Sequence, residues 1–452
     1  MNTPNPPHEV QGSQPPVPIH RQILSLALPA LGALIAEPIF VLADSAMVGH
    51  LGLHELAGLS LASTILMTVV GLCVFLAYAT TAATARKAGA GDRPGAVRDG
   101  IDGMWLALLL GLILTAALLA FGSPLARAFN PDPLTLPHAL AYLRASAPGI
   151  PGMLLVLAAT GVLRGLLDTK TPLIVASIGA VANIGANAAL IYGLRMGVAG
   201  SGLGTALVQT AMGLALAAIV GFKARKLGVT LGPRGTGLLA STKSGVPLLI
   251  RTAALRLALL ATVATATALG SVVLASHQIV NSVWGLTAFA LDALAIAAQA
   301  LVAQGLGASD AERVRSMLRI MVRWGLAAGA VIGIVIAAGA WLIVPLFTSS
   351  PEVRAAAVGG LIVIGILMPL AGYVFVLDGV LIGAGDGRFL AWAGILTLVA
   401  YLPALWFVSR LAPGGTWGVI WLWIAMAGVF MAARAVVLGL RSRGTAWMRL
   451  GI

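Results

Sequence analysis

The chain has 452 residues, of which 59% are hydrophobic and only 10% are charged. Soluble globular proteins of this size do not have that balance, so the composition excludes a soluble enzyme and predicts a membrane protein. The formal net charge of +13 could suggest a nucleic-acid partner, but the basic residues cluster in alternate short loops. That distribution indicates membrane topology and no nucleic-acid binding.

The chain begins with a polar segment. Residues 1–20 are rich in Pro, Asn and Gln and contain no Lys or Arg. They lack the charged start of a cleavable signal peptide, and we predict a disordered cytoplasmic tail. Cys73, the only cysteine, lies in an apolar stretch, so no intrachain disulfide can form and a small core residue is expected.

Twelve apolar stretches follow, and each is long enough, at about 20 residues or more, to cross a bilayer. This pattern predicts an all-α polytopic membrane protein with twelve transmembrane helices in two pseudo-symmetric six-helix bundles. The stretches lie at about 22–48, 56–83, 100–122, 139–166, 172–192, 200–222, 244–269, 274–302, 324–347, 358–384, 389–409 and 417–439.

The basic residues between these spans are distributed unevenly. With the N-terminus placed inside, the cytoplasmic segments hold 21 of the 28 Lys and Arg residues, whereas the outer segments hold 5. This bias predicts that both termini are cytoplasmic in a multi-pass protein of the cell membrane.

The chain matches itself without a gap when it is shifted so that Pro29 falls on Pro247, and we name this shift the repeat offset. Chance predicts roughly 0.3 coincidences of proline at one offset. Two more proline pairs accompany the first, Pro133 with Pro351 and Pro151 with Pro369. Two copies of one unit that face each other in a membrane build a cavity at their interface, as secondary transporters do.

The repeat and the loops together predict the domain organisation. The longest basic loop joins the two copies, and we place the boundary there. The predicted units are a tail at 1–20, an N-lobe at 21–222, a cytoplasmic linker at 223–243, a C-lobe at 244–440 and a cytoplasmic tail at 441–452.

Nucleotide-binding motifs are weak or missing. Gly200, Gly202 and Gly204 give a G-x-G pattern, but a dinucleotide site follows a soluble strand, whereas this pattern opens a membrane span. Close helix packing explains the small residues better. The sequence has no G-x-x-x-x-G-K-[ST] phosphate loop, so we exclude ATP as the direct energy source and expect an ion gradient.

Four acids lie deep inside predicted spans, where a carboxylate costs several kcal/mol unless it is protonated, paired or hydrated. They are Glu37, Asp44, Asp292 and Asp378. Glu37 and Asp44 are two helical turns apart and share a helix face, and Pro38 is expected to kink the helix there. We predict Asp44 as the ion-coupling residue and Glu37 as its partner. A structural carboxylate held by a hydrogen bond or an arginine is the alternative.

Polar residues on the fifth and eighth spans accompany these acids. Asn183 and Asn187 are four apart, so their amides could ligate a cation beside Asp44 or hold helices together. A second stripe on the eighth span is predicted to line the cavity of the second half: His277, Asn281, Asp292 and Gln299.

Two arginines lie inside the seventh span. Arg256 is near mid-depth, where we expect it to pair with Asp292 or Asp378 or to contact an anionic substrate. Arg251 is nearer the cytoplasmic end and is expected to extend its side chain toward the interface.

Two segments carry a family pattern: AEPIFVLADSAMVGHLG at 36–52 and RGLLDTKTP at 164–172. With ASHQI at 275–279 and AAQ at 297–299, the chain resembles the multidrug and toxic compound extrusion (MATE) family, most closely its DinF-like branch, over about residues 21–440. The resemblance implies two six-helix lobes in a V shape, which export small organic, often cationic, molecules by alternating access. The spans leave no room for a soluble catalytic domain, so we expect no enzymatic activity, and we expect a monomer.

The resemblance further implies that a proton or sodium ion enters as the compound leaves, with no other cofactor or metal. The family's coupling acid matches Asp44, and its pair on the fifth span matches Asn183 and Asn187. Some members carry an aspartate where Asn187 stands, so coupling through two carboxylates is in doubt here and Glu37 is the candidate substitute. An acid of the tenth span in other branches matches Asp378. The branch favours protons over sodium.

The sequence leaves two alternative functions to be considered. A flippase for lipid-linked precursors would use Arg251 and Arg256 to bind phosphates, but the four acids expected in the cavity outnumber these two arginines. A channel or receptor would not move any substrate uphill.

Overall fold

The computed structural model describes residues 18–451. The predicted tail therefore lies largely outside the described residues, and the first helix already begins at Ile19. The described residues form twelve long helices, which are α1 (Ile19–Gly49), α2 (Leu53–Gly89), α3 (Arg93–Arg127), α4 (Leu136–Gly165), α5 (Lys170–Gly193), α6 (Gly197–Lys226), α7 (Gly235–Ala268), α8 (Ser271–Gly307), α9 (Ala311–Leu346), α10 (Pro351–Gly383), α11 (Gly387–Leu411) and α12 (Gly415–Arg443).

These helices confirm the twelve predicted spans, and each contains a window apolar enough to cross a membrane. Most extend past the predicted ends, because polar residues can continue a helix beyond the hydrocarbon layer. The helices α6 and α7 extend into the predicted linker, so that 227–234 is the segment between them. We call α1–α6 the N-lobe and α7–α12 the C-lobe.

The backbone repeats at the same offset as the sequence. Asp92 and Asp310 cap α3 and α9, and each carboxylate accepts a hydrogen bond from the backbone N–H three residues later. Positive φ angles also recur in pairs at the repeat offset: Gly91 (85°) with Ser309 (59°), Leu167 (61°) with Gly385 (71°), and Gly197 (58°) with Gly415 (66°). The two lobes therefore share the geometry of their turns as well as their helices.

The lobes contact each other at the end of the bundle where α2 and α8 finish. Gln304 donates a hydrogen bond to the carbonyl of Gly165 (3.4 Å), and Trp324 donates one to His20 (2.9 Å). At mid-depth, Gln299 donates to the carbonyl of Tyr78. Within residues 18–451, the hydrogen bonds that join the lobes lie at this end or at mid-depth. The charge bias predicts that this end is cytoplasmic.

The segment after α12 strengthens this contact. Trp447 is 1% exposed, and it anchors the segment on the C-lobe. The guanidinium of Arg86 on α2 donates hydrogen bonds to the carbonyls of Ala384 (3.1 Å), Gly451 (2.8 Å) and Arg449. The C-terminal segment therefore bridges the two lobes, and we name 444–451 the C-terminal strap.

Glycines allow the backbones of α2 and α8 to touch at this end. A Cβ atom on Gly307 would overlap with the carbonyl oxygen of Arg86. We call the end of the bundle where the lobes contact each other the closed end. We expect Gly307→Ala to force the two helices apart and to destabilise the closed end by about 1–3 kcal/mol, the usual cost of overpacking. Distances between spin labels on the C-terminal ends of α2 and α8 should shift toward longer values.

Gly285→Ala is the matched control, because it lies on the same helix and its added Cβ would have no atom within 4 Å. Unchanged spin-label distances in Gly307→Ala would show that this contact does not hold the lobes together.

Candidate ion and substrate site

The carboxylate of Asp44 lies on α1 and is 7% exposed. Its Oδ1 atom accepts hydrogen bonds from the Asn187 amide (2.5 Å) and from the Ser201 hydroxyl (2.7 Å). Three helices, α1, α5 and α6, thus meet at one buried acid. An ionised carboxyl group can accept both hydrogen bonds, because its oxygens act only as acceptors.

The polar chain continues away from Asp44. Asn187 also donates to Asn183 Oδ1 (3.1 Å), and Asn183 donates to the hydroxyl of Thr205 (3.4 Å). Both asparagines are fully buried. The structure therefore brings the three predicted residues together, and it holds both asparagines in a network with the acid.

Sequence reasoning missed Ser201 and Thr205 in this network. They are four residues apart on α6, so they share a face. Their spacing could have signalled the network, but serine and threonine in apolar helices usually bond their own backbone, so the pattern is ambiguous. Thr210 on the same helix does so, with the carbonyl of Ala206 (2.7 Å).

Gly204 makes room for Asn187. A Cβ atom on Gly204 would overlap with Asn187 Oδ1, an atom that is buried without a hydrogen-bond partner. We expect Gly204→Ala to displace the amide from Asp44 and to lower the free energy of unfolding by about 1.5–3 kcal/mol, the contribution of one charge-assisted hydrogen bond. Thermal or denaturant unfolding of the purified protein in detergent measures this effect.

Gly185→Ala on α5 is the control, since its added Cβ would have no atom within 4 Å. Equal stability of the two variants would mean that the hydrogen bond from Asn187 to Asp44 does not stabilise the N-lobe.

The C-lobe has no equivalent acid. At the repeat offset, Asp44 and Asn183 correspond to Thr262 and Tyr401, whose hydroxyls are hydrogen-bonded at 2.7 Å. Tyr401 is fully buried. In the C-lobe, an aromatic ring and a pair of neutral hydroxyl groups therefore occupy the positions that Asp44 and Asn183 occupy in the N-lobe.

Glu37 and Asp44 line one cavity of about 160 Å³ inside the N-lobe. Tyr142, Thr205 and Gln209 are further polar residues in its wall. The side chain of Glu37 is exposed, unlike that of Asp44. Glu37 also lines a larger cavity of about 640 Å³ between the lobes, so it lies where the two spaces adjoin.

Charged side chains of both signs line the larger cavity. They are Glu37, Arg164, Arg256, Asp292 and Asp378. Among residues 18–451, Arg164, Arg256 and Asp292 make no ion pair within 4.0 Å. Arg256 reaches across from α7 toward the N-lobe, where a Cβ atom on Gly71 would lie 2.8 Å from its Nη2 atom.

Asp378 has partners that the sequence did not predict. It forms ion pairs with Arg251 and with Arg434 (3.3 Å), whereas Arg256 was the expected partner. Arg251 is 7% exposed, so the expectation that it extends toward the interface was wrong. Arg251 and Arg256 are five residues apart, about 140° around a helix, so their side chains leave α7 on different faces.

Two further basic residues, near the ends of predicted spans, were counted among the 21 Lys and Arg residues of the cytoplasmic segments. Arg434 lies inside α12 and is buried, and Arg164 lies at the end of α4 and lines the cavity. The four predicted acids are therefore accompanied by Arg164 and Arg434 as well as by Arg251 and Arg256, and the expected excess of acids over arginines is not found.

The predicted stripe on α8 is divided. Asp292 and Gln299 line the cavity between the lobes. His277 is 2% exposed and stacks on Trp423 with ring centroids 5.4 Å apart, and Asn281 is partly buried. Neither lines this cavity. His277 and Asp292 are separated by roughly 22 Å along the helix axis, which places them at different depths.

Comparison with known proteins decides the family. The MatE family model matches residues 29–188 and again residues 247–407. The chain belongs to the MatE family. The two matches start at Pro29 and Pro247, the residues that the internal repeat pairs. The chain is therefore a multi-pass membrane transporter, of the family that includes multidrug efflux transporters.

Individual relatives agree with this assignment. The chain is 30% identical to "Protein DETOXIFICATION 44, chloroplastic" of Arabidopsis thaliana, over 92% of this chain and 81% of the relative. It is 28% identical to a probable multidrug resistance protein NorM of Chromobacterium violaceum, over 68% of each chain. The fold is similar to the crystal structure of the MATE transporter VcmN of Vibrio cholerae in its bent form, with a TM-score of 0.85, 20% identity, and coverage of 95% and 97%.

Proposed function

We propose that this MatE transporter exports small organic molecules in exchange for protons, with Na⁺ as the alternative ion, by alternating access. The observation that carries the proposal is the buried Asp44 carboxylate, held by Asn187 and Ser201 at the edge of a cavity. A titratable group at such a position gives the N-lobe two states of different hydrogen bonding.

Protonation changes what Asp44 can bind. The ionised carboxylate accepts from two donors, whereas the protonated acid has one oxygen that must donate. The nearby Asn187 Oδ1 has no partner in the described structure, so it is available as an acceptor if the amide turns. Protonation therefore rearranges the contact between α1 and α5. Coupling requires that the two states of the transporter differ in proton affinity.

The cavity between the lobes is the proposed substrate site. Its volume of about 640 Å³ suits a drug-sized molecule. Glu37 and Asp292 offer negative charge to a cationic group, and apolar residues such as Met67 and Phe289 complete the wall. This combination favours cationic or amphipathic compounds.

The closed end of the bundle supports an outward-open state. The lobes are joined at the end that the charge bias predicts to be cytoplasmic, so the substrate cavity would open to the opposite side. In this state Asp44 would take up a proton from outside as the substrate leaves.

The deciding experiment applies one gradient at a time. Proteoliposomes with the purified transporter are loaded with a fluorescent cationic dye, and dye movement is measured under a pH gradient alone and under a sodium gradient alone. We expect uphill movement with the pH gradient. Uphill movement with sodium alone would assign the other ion.

Other outcomes contradict the proposal. Movement that only follows the dye's own gradient, unchanged when both ion gradients are collapsed, indicates a channel. Movement of a lipid-linked phosphate but of no dye indicates the flippase. The flippase has less support, because the Chromobacterium violaceum relative is described as a multidrug resistance protein.

A further inference from the structure

A second cavity between the lobes lies at the closed end, away from the proposed substrate site. Its volume is about 420 Å³. Its walls come from α2, the start of α7, the turn between α10 and α11, and the C-terminal strap. Residues of both lobes and of the strap therefore surround the same space.

Basic side chains dominate this cavity. Arg86, Lys243, Arg388 and Arg449 line it. The single carboxylate in its wall is Asp386, which accepts a hydrogen bond from Arg441 at 2.7 Å. Of these four cations, none forms an ion pair among residues 18–451. The cavity therefore carries a positive charge that no carboxylate of residues 18–451 balances.

The main chain adds to this positive character. Asp386 precedes α11, but its carboxylate is bound to Arg441 and does not cap the helix. Asp168, which corresponds to Asp386 at the repeat offset, does accept a hydrogen bond from the backbone N–H of Thr171 at the start of α5 (3.0 Å). The first N–H groups of α11, beside Gly387 in the cavity wall, therefore lack a side-chain acceptor. A helix N-terminus favours an anion.

We propose that this cavity binds a phosphate group. Phosphate offers several strong acceptor oxygens to guanidinium and ammonium donors on opposite walls. Because those walls belong to α2 in the N-lobe and to α7 and α11 in the C-lobe, the bound anion also holds the closed end together. A phospholipid headgroup and a soluble phosphate share this chemistry.

The test uses the full chain and two probes. Inorganic phosphate is added to the protein in neutral detergent, and separately the protein is placed in nanodiscs of phosphatidylcholine with or without phosphatidylglycerol. The readout is the midpoint of thermal unfolding as a function of probe concentration, because a ligand of the folded state raises it. We expect at least one probe to raise the midpoint in a saturable way.

A double variant with a matched control locates the effect. Lys243→Gln with Arg388→Gln removes two exposed cations from the cavity wall. We expect an affinity loss of about tenfold or more, since each charge-assisted contact is lost. Arg315→Gln with Arg319→Gln removes two exposed cations on α9, outside the cavity and at the same end, and should retain the affinity.

Each outcome decides the question. A shift by phosphate that the cavity variant alone reduces supports a soluble ligand, and the same pattern with phosphatidylglycerol alone supports a headgroup. Equal losses in both double variants would overturn the proposal, because unspecific surface charge would explain them. The absence of a shift with either probe would also overturn it. Both results are independent of which ion drives transport.

Discussion

Replacing Asp44 by Asn is expected to abolish nearly all gradient-driven export in proteoliposomes while the protein stays folded. Asn has the same size and can occupy the same space between Asn187 and Ser201. It has no titratable proton, so it cannot differ in proton affinity between two states, and an ion gradient then shifts no equilibrium. We expect export to fall by about 100-fold, toward the upper range of ordinary coupling free energies.

Two controls make this result interpretable. Asp310→Asn should retain full activity, because Asp310 caps α9 at the closed end of the bundle and Asn caps a helix equally well. Size-exclusion profiles and thermal midpoints show whether Asp44→Asn is folded. Full export by a folded Asp44→Asn variant would remove Asp44 from the coupling mechanism.

The second large effect concerns stability. We expect Asp378→Ala to lower the free energy of unfolding by about 3–5 kcal/mol, the usual cost of breaking a buried ion pair. The variant leaves two buried guanidiniums, those of Arg251 and Arg434, without their common carboxylate. Denaturant or thermal unfolding of the purified protein in detergent measures the loss.

Asp292→Asn provides the comparison, because Asp292 lies on the same cavity wall and makes no ion pair in the described part of the chain. We expect it to change the free energy of unfolding by less than about 1 kcal/mol. Similar values for the two variants would show that the cluster around Asp378 does not stabilise the fold.

The helices were predictable because the length of an apolar stretch is enough to identify a membrane-spanning helix. All twelve spans and the duplicated unit followed from hydropathy and from matched prolines such as Pro29 and Pro247. The ends of the helices were less predictable, since α7 begins at Gly235, well inside the polar segment assigned as linker.

The N-lobe site was predictable where one helix face carried the information. Glu37 and Asp44 on α1, and Asn183 and Asn187 on α5, share faces by their spacing. Contacts between distant helices had no such signal. The pairing of Asp378 with Arg434 depends on how α10 and α12 pack, which neither helix's own sequence specifies.

The Thr262–Tyr401 pair has a consequence for energetics. The counterpart of Asp44 in the second half is neutral, so the repeat supplies no second titratable group at this position. If one proton passes through Asp44 in each turnover, one elementary charge crosses the membrane with it. For an electrically neutral substrate, a membrane voltage of 100 mV then adds about 2.3 kcal/mol to the free energy available for export. This corresponds to a roughly 50-fold larger ratio of substrate concentrations across the membrane at equilibrium.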